Sequence, residues 1–154
     1  MASSIKAVEW AAQRSVRRMN QVVVELAKAL ATTAHEHQVR KNGQPYTSHL
    51  AQVSESLGSD PTLQAIGWLH DVLEDTGLTA EDLISRGVPE EVVAVVVTLT
   101  KRREERFEQY IERVSRCERA TTVKIADILA NLSDNPGRKQ IVKFAKALLL
   151  LCRE

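Results

Sequence analysis

The chain has 154 residues, 44% hydrophobic and 27% charged, which is typical of a globular protein long enough to bury a core of its own. Its formal net charge of +1 provides no general field for nucleic acid or an anionic membrane, so an anion would have to be bound by a local cluster. The longest apolar runs, 92–97 and 147–152, are far shorter than the roughly 20 residues of a spanning helix. We therefore expect one domain over residues 1–154, with neither nucleic acid nor a membrane as its partner.

The first predicted element is a long amphipathic helix. From Ile5 to Ala34 the apolar positions recur every three or four residues, which predicts either one helix or two helices broken near Asn20. A loop that contains glycine and proline follows over 40–46, and the next helix is predicted over about 48–57.

The middle of the chain contains clear helix starts. Asp60 and Pro61 form an N-cap and a first-turn proline for a helix that we predict to run without a break to about Thr76. Thr79 caps the short helix that follows. The β-branched run 92–97 could form a strand, but the preceding Pro-Glu-Glu is typical of a helix start and no second strand is available to pair with it.

Further helices are predicted in the C-terminal part, over about 107–117, 119–132 and 138–153. With six or more helices and no convincing strand, the predicted fold class is all-α, a compact helical bundle. Within the single domain we distinguish three parts: an N-terminal helical segment (1–33), a core that contains the motifs (34–135) and a C-terminal helix (136–154).

An unusual group of acids follows a histidine in the predicted helix 61–76. His70, Asp71, Glu74 and Asp75 are spaced so that they share one face of a continuous helix. Three acids in the last turns of a helix oppose its dipole and repel each other. A bound cation would neutralise them, whereas helix stability alone does not account for them.

A second polar group interrupts the apolar helix predicted over 119–132. Asp127, Asn131 and Asp134 form a stripe along it, and a carboxylate that faces a core is costly unless it is paired or binds a metal. Each feature alone has an ordinary explanation: a surface His-Asp pair, a solvated helix end, or an ion pair between Asp127 and Lys124. Their occurrence together favours a metal site, and imidazole and carboxylate ligands suit a divalent ion such as manganese, iron or zinc.

The two cysteines and the first residues of the chain indicate a compartment. Cys117 and Cys152 form neither a CxxC motif nor a disulfide framework. The first six residues lack the apolar stretch of a secretory signal. We expect both thiols to be reduced and the protein to be cytoplasmic.

Four segments form a set of motifs: 34–49 (AHEHQVRKNGQPYTSH), 69–76 (LHDVLEDT), 99–101 (LTK), and 123–127 (VKIAD) with Asn131. As a set they resemble the HD-domain metal-dependent phosphohydrolases, specifically the hydrolase domain of the RelA/SpoT group and the small alarmone hydrolases. The resemblance implies one divalent metal ion, usually manganese, held at four ligand positions: His49, His70, Asp71 and Asp127.

The resemblance also implies a reaction and further site residues. Glu74 and Asp75 match the acids that position and activate the attacking water. Arg40 matches an arginine near the nucleotide, and Asn131 matches a residue that contacts the ribose or the wall of the site. The implied reaction is the removal of pyrophosphate from the 3′ position of guanosine tetra- or pentaphosphate.

Chemistry adds further candidates around the predicted site. Lys41, next to Arg40, would neutralise phosphates of the substrate. Tyr46 could stack on a base, and Lys124 could contact a phosphate or pair with an acid. We expect His35 to make a structural hydrogen bond rather than bind the metal.

Departures from the family pattern leave alternatives open. Leu50 stands where the group commonly has proline, and Ile128 and Ala130 stand where it has arginine and histidine. The protein could therefore be an HD phosphohydrolase that acts on another nucleotide or phosphoester. A nucleotide-binding module without turnover is the other alternative, and the complete set of ligands and acids argues against it. A homo-oligomer is also left open.

Overall fold

The computed structural model describes residues 2–153, and every regular element in that part of the chain is a helix. The described helices are α1 (Ala2–Ala34), α2 (Thr47–Ser56), α3 (Pro61–Leu69), α4 (Val72–Asp75), α5 (Ala80–Ser85), α6 (Glu90–Leu99), α7 (Phe107–Val114), α8 (Glu118–Leu132) and α9 (Arg138–Leu151). The predicted all-α class is confirmed, and the β-branched run 92–97 lies within α6. Among the described residues, no helix is both long and apolar enough to cross a membrane.

The first helix, α1, is continuous across Asn20, so the one-helix alternative is correct. Its C-terminal part packs against α3 and buries Ala27 and Ala31 completely. Residues 5–22 are exposed along their length. The apolar periodicity of α1 therefore reaches the core only in its last turns.

The core is built around α8, which contacts α2, α3, α6, α7 and α9. One cluster of buried apolar side chains extends from Ala27 in α1 to Leu151 in α9. Because α8 lies among these helices, a polar side chain on its inner face is buried whether or not it has a partner. Asp127 is such a side chain, with a relative exposure of 5%.

A glycine allows α3 to approach α2 closely. A Cβ atom added to Gly67 would lie 2.9 Å from the Cα of Ser54 and 2.9 Å from the Cδ1 of Leu57. Since α2 contains His49 and α3 ends just before His70, this approach brings the two imidazoles together, with ring centroids 5.5 Å apart.

Substitution of this glycine tests the importance of the close approach. We expect Gly67→Ala to lower the free energy of unfolding by about 2 kcal/mol, because the new methyl group would meet backbone atoms that can move only with α2. Gly77→Ala is the matched control, since its Cβ would meet nothing within 4 Å. Urea denaturation of both variants measures the difference, and equal stabilities would show that α2 and α3 tolerate the methyl group.

The predicted unbroken helix over 61–76 is wrong. Asp60 caps α3 as expected, accepting hydrogen bonds from the amides of Thr62 and Leu63, but α3 ends at Leu69 and α4 begins at Val72. The break has a local cause. Nδ1 of His70 lies 2.7 Å from the carbonyl oxygen of Gly67, which would accept the Asp71 amide in a continuous helix.

The break changes the environment of the acidic pair. Glu74 and Asp75 lie in the four-residue helix α4, not in the last turn of a long helix. The argument from the helix dipole therefore does not apply to them. The backbone of α4 stays joined to Asp71, since the Asp75 amide donates to the Asp71 carbonyl at 2.9 Å.

Candidate metal centre

Three of the four predicted ligands, His49, His70 and Asp127, converge at one buried point where α2, α8 and the turn between α3 and α4 meet, and the half-buried Asp71 lies beside them. Nε2 of His49 lies 3.0 Å from Oδ1 of Asp127, and Nε2 of His70 lies 3.0 Å from Oδ2 of Asp71. The cross distances are 3.6 Å between His70 Nε2 and Asp127 Oδ1 and 4.0 Å between His49 Nε2 and Asp71 Oδ2. Ligand atoms of His49, His70 and Asp127 all lie within 4.8 Å of one another.

The imidazole nitrogens at this point lack hydrogen-bond partners. Because a carbonyl oxygen can only accept, the contact with Gly67 places a hydrogen on Nδ1 of His70 and directs Nε2 towards the carboxylates. That Nε2 atom and Nε2 of His49 are buried without a hydrogen bond, although carboxylate oxygens lie 3.0 Å away, and Nδ1 of His49 is also buried without a partner. Buried polar atoms of this kind are costly. A divalent cation would supply the missing partner of the two Nε2 atoms, so the residues present fit a metal ion.

Charges at the centre favour a cation. Burial lowers the pKa of His70, but Asp71 and Asp127 outweigh this effect and hold the pKa well above its usual value. Burial raises the pKa of Asp127, yet the ammonium of Lys124 and the two imidazoles hold it well below its usual value. Both effects stabilise positive charge between ionised carboxylates. A metal ion would take the place of the proton on His70.

Three side chains orient the carboxylates of Asp71 and Asp127. The hydroxyl of Tyr46 donates to Oδ2 of Asp71 at 2.6 Å. Nζ of Lys124 donates to Oδ2 of Asp127 at 2.8 Å, and Nδ2 of Asn131 donates to Oδ1 of Asp127 at 2.7 Å. Partners of this type fix the direction of metal ligands. The contacts of Tyr46, Lys124 and Asn131 with a substrate stay a prediction.

The acidic pair lies at the exposed edge of the centre. Oε2 of Glu74 accepts a hydrogen bond from the backbone amide of Lys101 at 3.0 Å. The side chain of Asp75 makes no hydrogen bond among the described residues, and only its backbone carbonyl accepts one, from Gln38 at 2.9 Å. Partial burial and the neighbouring Asp71 and Glu74 raise the pKa of the Asp75 carboxyl.

A polar cavity of about 440 Å³ opens beside His49. Most of the predicted substrate contacts line it, namely Arg40, Lys41, Tyr46 and Asn131, whereas Lys124 does not. Nη2 of Arg40 lies 3.0 Å from Oδ2 of Asp134, and Nδ2 of Asn42 donates to the other oxygen of that carboxylate at 2.9 Å. Asp134 was recognised in the sequence as part of a polar stripe, but its pairing with Arg40 was not predicted.

The comparisons with known proteins agree with this geometry. A family model described as HD domain matches residues 27–149. The chain belongs to the HD-domain family. A solved structure of a metazoan SpoT ortholog, described as hydrolysing ppGpp (guanosine tetraphosphate), superposes on the HD domain with a TM-score of 0.73 and 27% identity, over 84% of this chain and 85% of that one.

Longer bacterial proteins are also similar to this HD domain. A probable GTP pyrophosphokinase of Mycobacterium leprae is 32% identical over 146 residues, which are 85% of this chain and 18% of that protein. A probable guanosine-3′,5′-bis(diphosphate) 3′-pyrophosphohydrolase of Synechocystis is 32% identical over 120 residues, 69% of this chain and 16% of that protein. The chain spans less than a fifth of these relatives. The resemblance to RelA/SpoT-type HD hydrolases is confirmed.

Metal addition tests the centre of the HD domain directly. We expect manganese at 100 times its Kd to raise the free energy of unfolding by about 2.7 kcal/mol, because the ion binds only the folded chain. Chelation with EDTA should reverse the effect. In Asp71→Ala the increase should disappear, since the ligand atom is removed. Thermal denaturation followed by circular dichroism measures it, and an equal increase in wild type and variant would place the ion elsewhere.

A partly buried ion pair holds the segment that contacts Glu74. Nε and Nη2 of Arg113 each donate to a carboxylate oxygen of Glu105 at 2.8 Å. Arg113 also donates to the carbonyl oxygens of Thr98 and Thr100, at 2.7 and 3.0 Å. The backbone on either side of Lys101, whose amide reaches Glu74, is therefore anchored.

The pH dependence of this ion pair follows from its pKa. Hydrogen bonds from Arg113 lower the pKa of Glu105 from 4.5 to about 2, so the ionised carboxyl stabilises the folded state. This contribution is complete above pH 4.5 and is lost as the pH falls towards 2. We expect Glu105→Gln to cost about 1 kcal/mol at pH 7, with the difference shrinking on acidification. Glu104→Gln is the exposed control, and a difference that is constant with pH would contradict the assignment.

Proposed function

We propose that the protein is a metal-dependent pyrophosphohydrolase that removes pyrophosphate from the 3′ position of guanosine tetra- or pentaphosphate. One observation carries the proposal: buried imidazoles without hydrogen-bond partners converge with ionised carboxylates beside a cavity that contains Arg40 and Lys41. The metazoan SpoT ortholog hydrolyses ppGpp, and the Synechocystis protein is a probable guanosine-3′,5′-bis(diphosphate) 3′-pyrophosphohydrolase; both similarities support the extension of this activity to the present chain.

The proposed metal is one Mn²⁺ ion, held by His49, His70, Asp71 and Asp127. Imidazole and carboxylate donors without thiolate suit manganese, although iron and zinc accept the same donors. When bound there, the ion lowers the pKa of water and polarises a phosphoryl oxygen.

Residues of the chain accept the proton of the attacking water and bind the phosphates of the substrate. The water oxygen forms a bond to the phosphorus attached to O3′, and the bond from phosphorus to O3′ breaks with its electron pair on O3′. That oxygen takes up a proton from solvent to become the ribose 3′-hydroxyl, and pyrophosphate leaves. Asp75, whose carboxyl makes no hydrogen bond among the described residues, accepts the proton of the attacking water. Arg40 exchanges Asp134 for a phosphate, and Lys41 adds a second positive charge in the same cavity.

The sequence departures lie away from the polar cavity. Ile128 is completely buried, and Ala130 lines a separate groove of about 400 Å³ between α2 and α8, together with Leu57 and Leu129. Neither position is among the residues that line the cavity beside His49. The cavity beside His49 therefore keeps Arg40, Lys41, Tyr46 and Asn131 in its wall despite these departures, and these residues support the guanosine tetraphosphate proposal.

A substrate panel tests the proposal. Purified protein with manganese is incubated with guanosine tetraphosphate, guanosine pentaphosphate, GTP, GDP and a chromogenic phosphodiester, and released pyrophosphate is measured. We expect release from the first two only, and none with Asp71→Ala. Turnover of another compound alone would favour the broader HD phosphohydrolase. Nucleotide binding without any turnover would favour a binding module.

Domain organisation and assembly complete the proposal. We propose that residues 1–154 form one domain, and the buried cluster from Ala27 to Leu151 supports this. A cytoplasmic location and a homo-oligomer stay predictions, and light scattering of the purified protein measures the mass in solution.

A further inference from the structure

A buried histidine outside the ligand set begins a directed chain of hydrogen bonds. His35, at the end of α1, is only 1% exposed, and its Nδ1 lies 2.8 Å from Oε1 of Gln38. Nε2 of Gln38 donates to the backbone carbonyl of Asp75 at 2.9 Å. Because the amide nitrogen must face that carbonyl, the amide oxygen faces the imidazole, and Nδ1 of His35 is the donor. The chain therefore runs from His35 through Gln38 to Asp75.

The same imidazole also contacts a partner of the metal ligands. Its ring stacks on Tyr46, with centroids 5.1 Å apart and an interplanar angle of 28°. The Tyr46 hydroxyl donates to Oδ2 of Asp71 at 2.6 Å. Burial and the charge of Asp71 raise the pKa of Tyr46, so the hydroxyl stays a donor. His35 thus contacts Gln38 and Tyr46. Gln38 binds the backbone of Asp75, and Tyr46 binds the carboxylate of Asp71.

Packing of the core alone does not explain a histidine at position 35. Nε2 of His35 is buried without a hydrogen-bond partner, which costs stability that a leucine of similar size would avoid. The histidine is also absent from the group of described residues whose ligand atoms lie close enough to share a metal. The contacts of His35 with Gln38 and Tyr46 therefore offset the cost of burying its unpaired Nε2 atom.

On the basis of the proposed function, we propose that His35 is a positioning residue for the hydrolytic centre. Through Gln38 it holds the turn that contains Asp75, the proton acceptor. Through Tyr46 it holds the carboxylate of Asp71, a metal ligand. These two roles use different features of the imidazole, its N–H group and its flat ring, so they can be separated by substitution.

Two substitutions separate the roles. His35→Phe keeps a ring to stack on Tyr46 but removes the donor to Gln38, so we expect kcat to fall about tenfold with the Kd for Mn²⁺ unchanged. His35→Asn keeps an N–H donor but cannot stack, so we expect the Kd for Mn²⁺ to rise about tenfold, with kcat within about twofold at saturating metal. Calorimetric titration of the metal-free protein with Mn²⁺ measures Kd independently of turnover.

Two further variants distinguish the proposed role of His35 from a folding defect. Gln38→Leu cuts the same hydrogen-bond chain without altering the buried ring, and it should reproduce the kcat loss of His35→Phe. His37→Phe, at an exposed neighbouring position, is the control and should match the wild type in both readouts. In the wild type, long-range ¹H–¹⁵N spectra should show the proton of His35 on Nδ1.

The outcomes are distinct. Equal losses of kcat and metal affinity in both His35 variants would indicate a merely structural role and overturn the proposal, as would wild-type values in both or a proton on Nε2 alone. If the wild type binds Mn²⁺ but does not hydrolyse guanosine tetraphosphate, the proposed function fails. The contrast in metal affinity between His35→Asn and His35→Phe still decides whether His35 positions Asp71.

Discussion

Replacement of Asp127 by alanine should abolish Mn²⁺ binding and also lower the free energy of unfolding of the metal-free protein by about 3 kcal/mol. Asp127 is a proposed metal ligand and at the same time the partner of Lys124, 2.8 Å away. The two side chains are only 6% and 14% exposed. Without the carboxylate, the ammonium of Lys124 remains buried and unpaired, which is the costly way to break such a pair.

A double variant separates the two effects of Asp127. In Asp127→Ala combined with Lys124→Met the unpaired charge is gone, so stability should recover most of the loss, while Mn²⁺ binding stays absent. Urea denaturation in EDTA measures the stabilities, and calorimetry measures metal binding. If the double variant is no more stable than Asp127→Ala alone, the unpaired ammonium of Lys124 is not the cause of the loss. Such a result would show that the ion pair contributes little to the free energy of unfolding. Metal binding by the single variant would exclude Asp127 from the ligand set.

Replacement of Asp75 by asparagine should lower kcat about 1,000-fold and leave the Kd for Mn²⁺ unchanged. The amide has the shape of the carboxyl but cannot accept a proton from the attacking water. Partial burial and the charges of Asp71 and Glu74 raise the pKa of the Asp75 carboxyl, which favours proton uptake by its carboxylate. Pyrophosphate release at saturating metal and substrate measures kcat. Loss of metal binding would instead make Asp75 a ligand.

Glu74 provides the matched variant. One oxygen of its carboxylate is already occupied by the amide of Lys101, so its role is to hold the segment after α6 near the centre. We therefore expect Glu74→Gln to lower kcat only about tenfold, since the amide oxygen can still accept that hydrogen bond. A larger loss for Glu74→Gln than for Asp75→Asn would exchange the roles of the two acids.

Much of the architecture follows from local signals. The apolar periodicity of α1, the N-cap at Asp60 and the cap at Thr79 each lie within a few residues of the structure that they specify. The β-branched run 92–97 was assigned correctly to a helix because its flanking residues, not its composition, determine the start of α6. Costly polar groups on apolar helices also indicated a cation near His70, Asp71 and Asp127, whereas His49 was added by the resemblance to the HD-domain phosphohydrolases.

Other features depend on side-chain contacts that helix periodicity and capping patterns do not contain, whether the two residues are near or far apart in sequence. The helix break at His70 arises because its imidazole, instead of the Asp71 amide, donates to the carbonyl of Gly67. The spacing of apolar residues does not indicate that a side chain will compete with a backbone amide in this way. Gln38 was overlooked, although its spacing of three residues from His35 was a possible signal for their hydrogen bond. The ion pair of Arg40 with Asp134 joins residues that are remote in sequence.

The sequence by itself determined the all-α class and the positions of most helices, and its acids on apolar helices indicated a bound cation. The set of four proposed ligands, His49, His70, Asp71 and Asp127, came from the resemblance to the HD-domain phosphohydrolases. Helix formation and capping are short-range effects, and an acid on an apolar face is visible without coordinates. Only the tertiary structure decided that His49 and Asp127 lie 3.0 Å apart, and that Tyr46, Lys124 and Asn131 orient ligand carboxylates. These distances depend on how closely α2, α3 and α8 approach, and that approach is determined by side chains far apart in the chain.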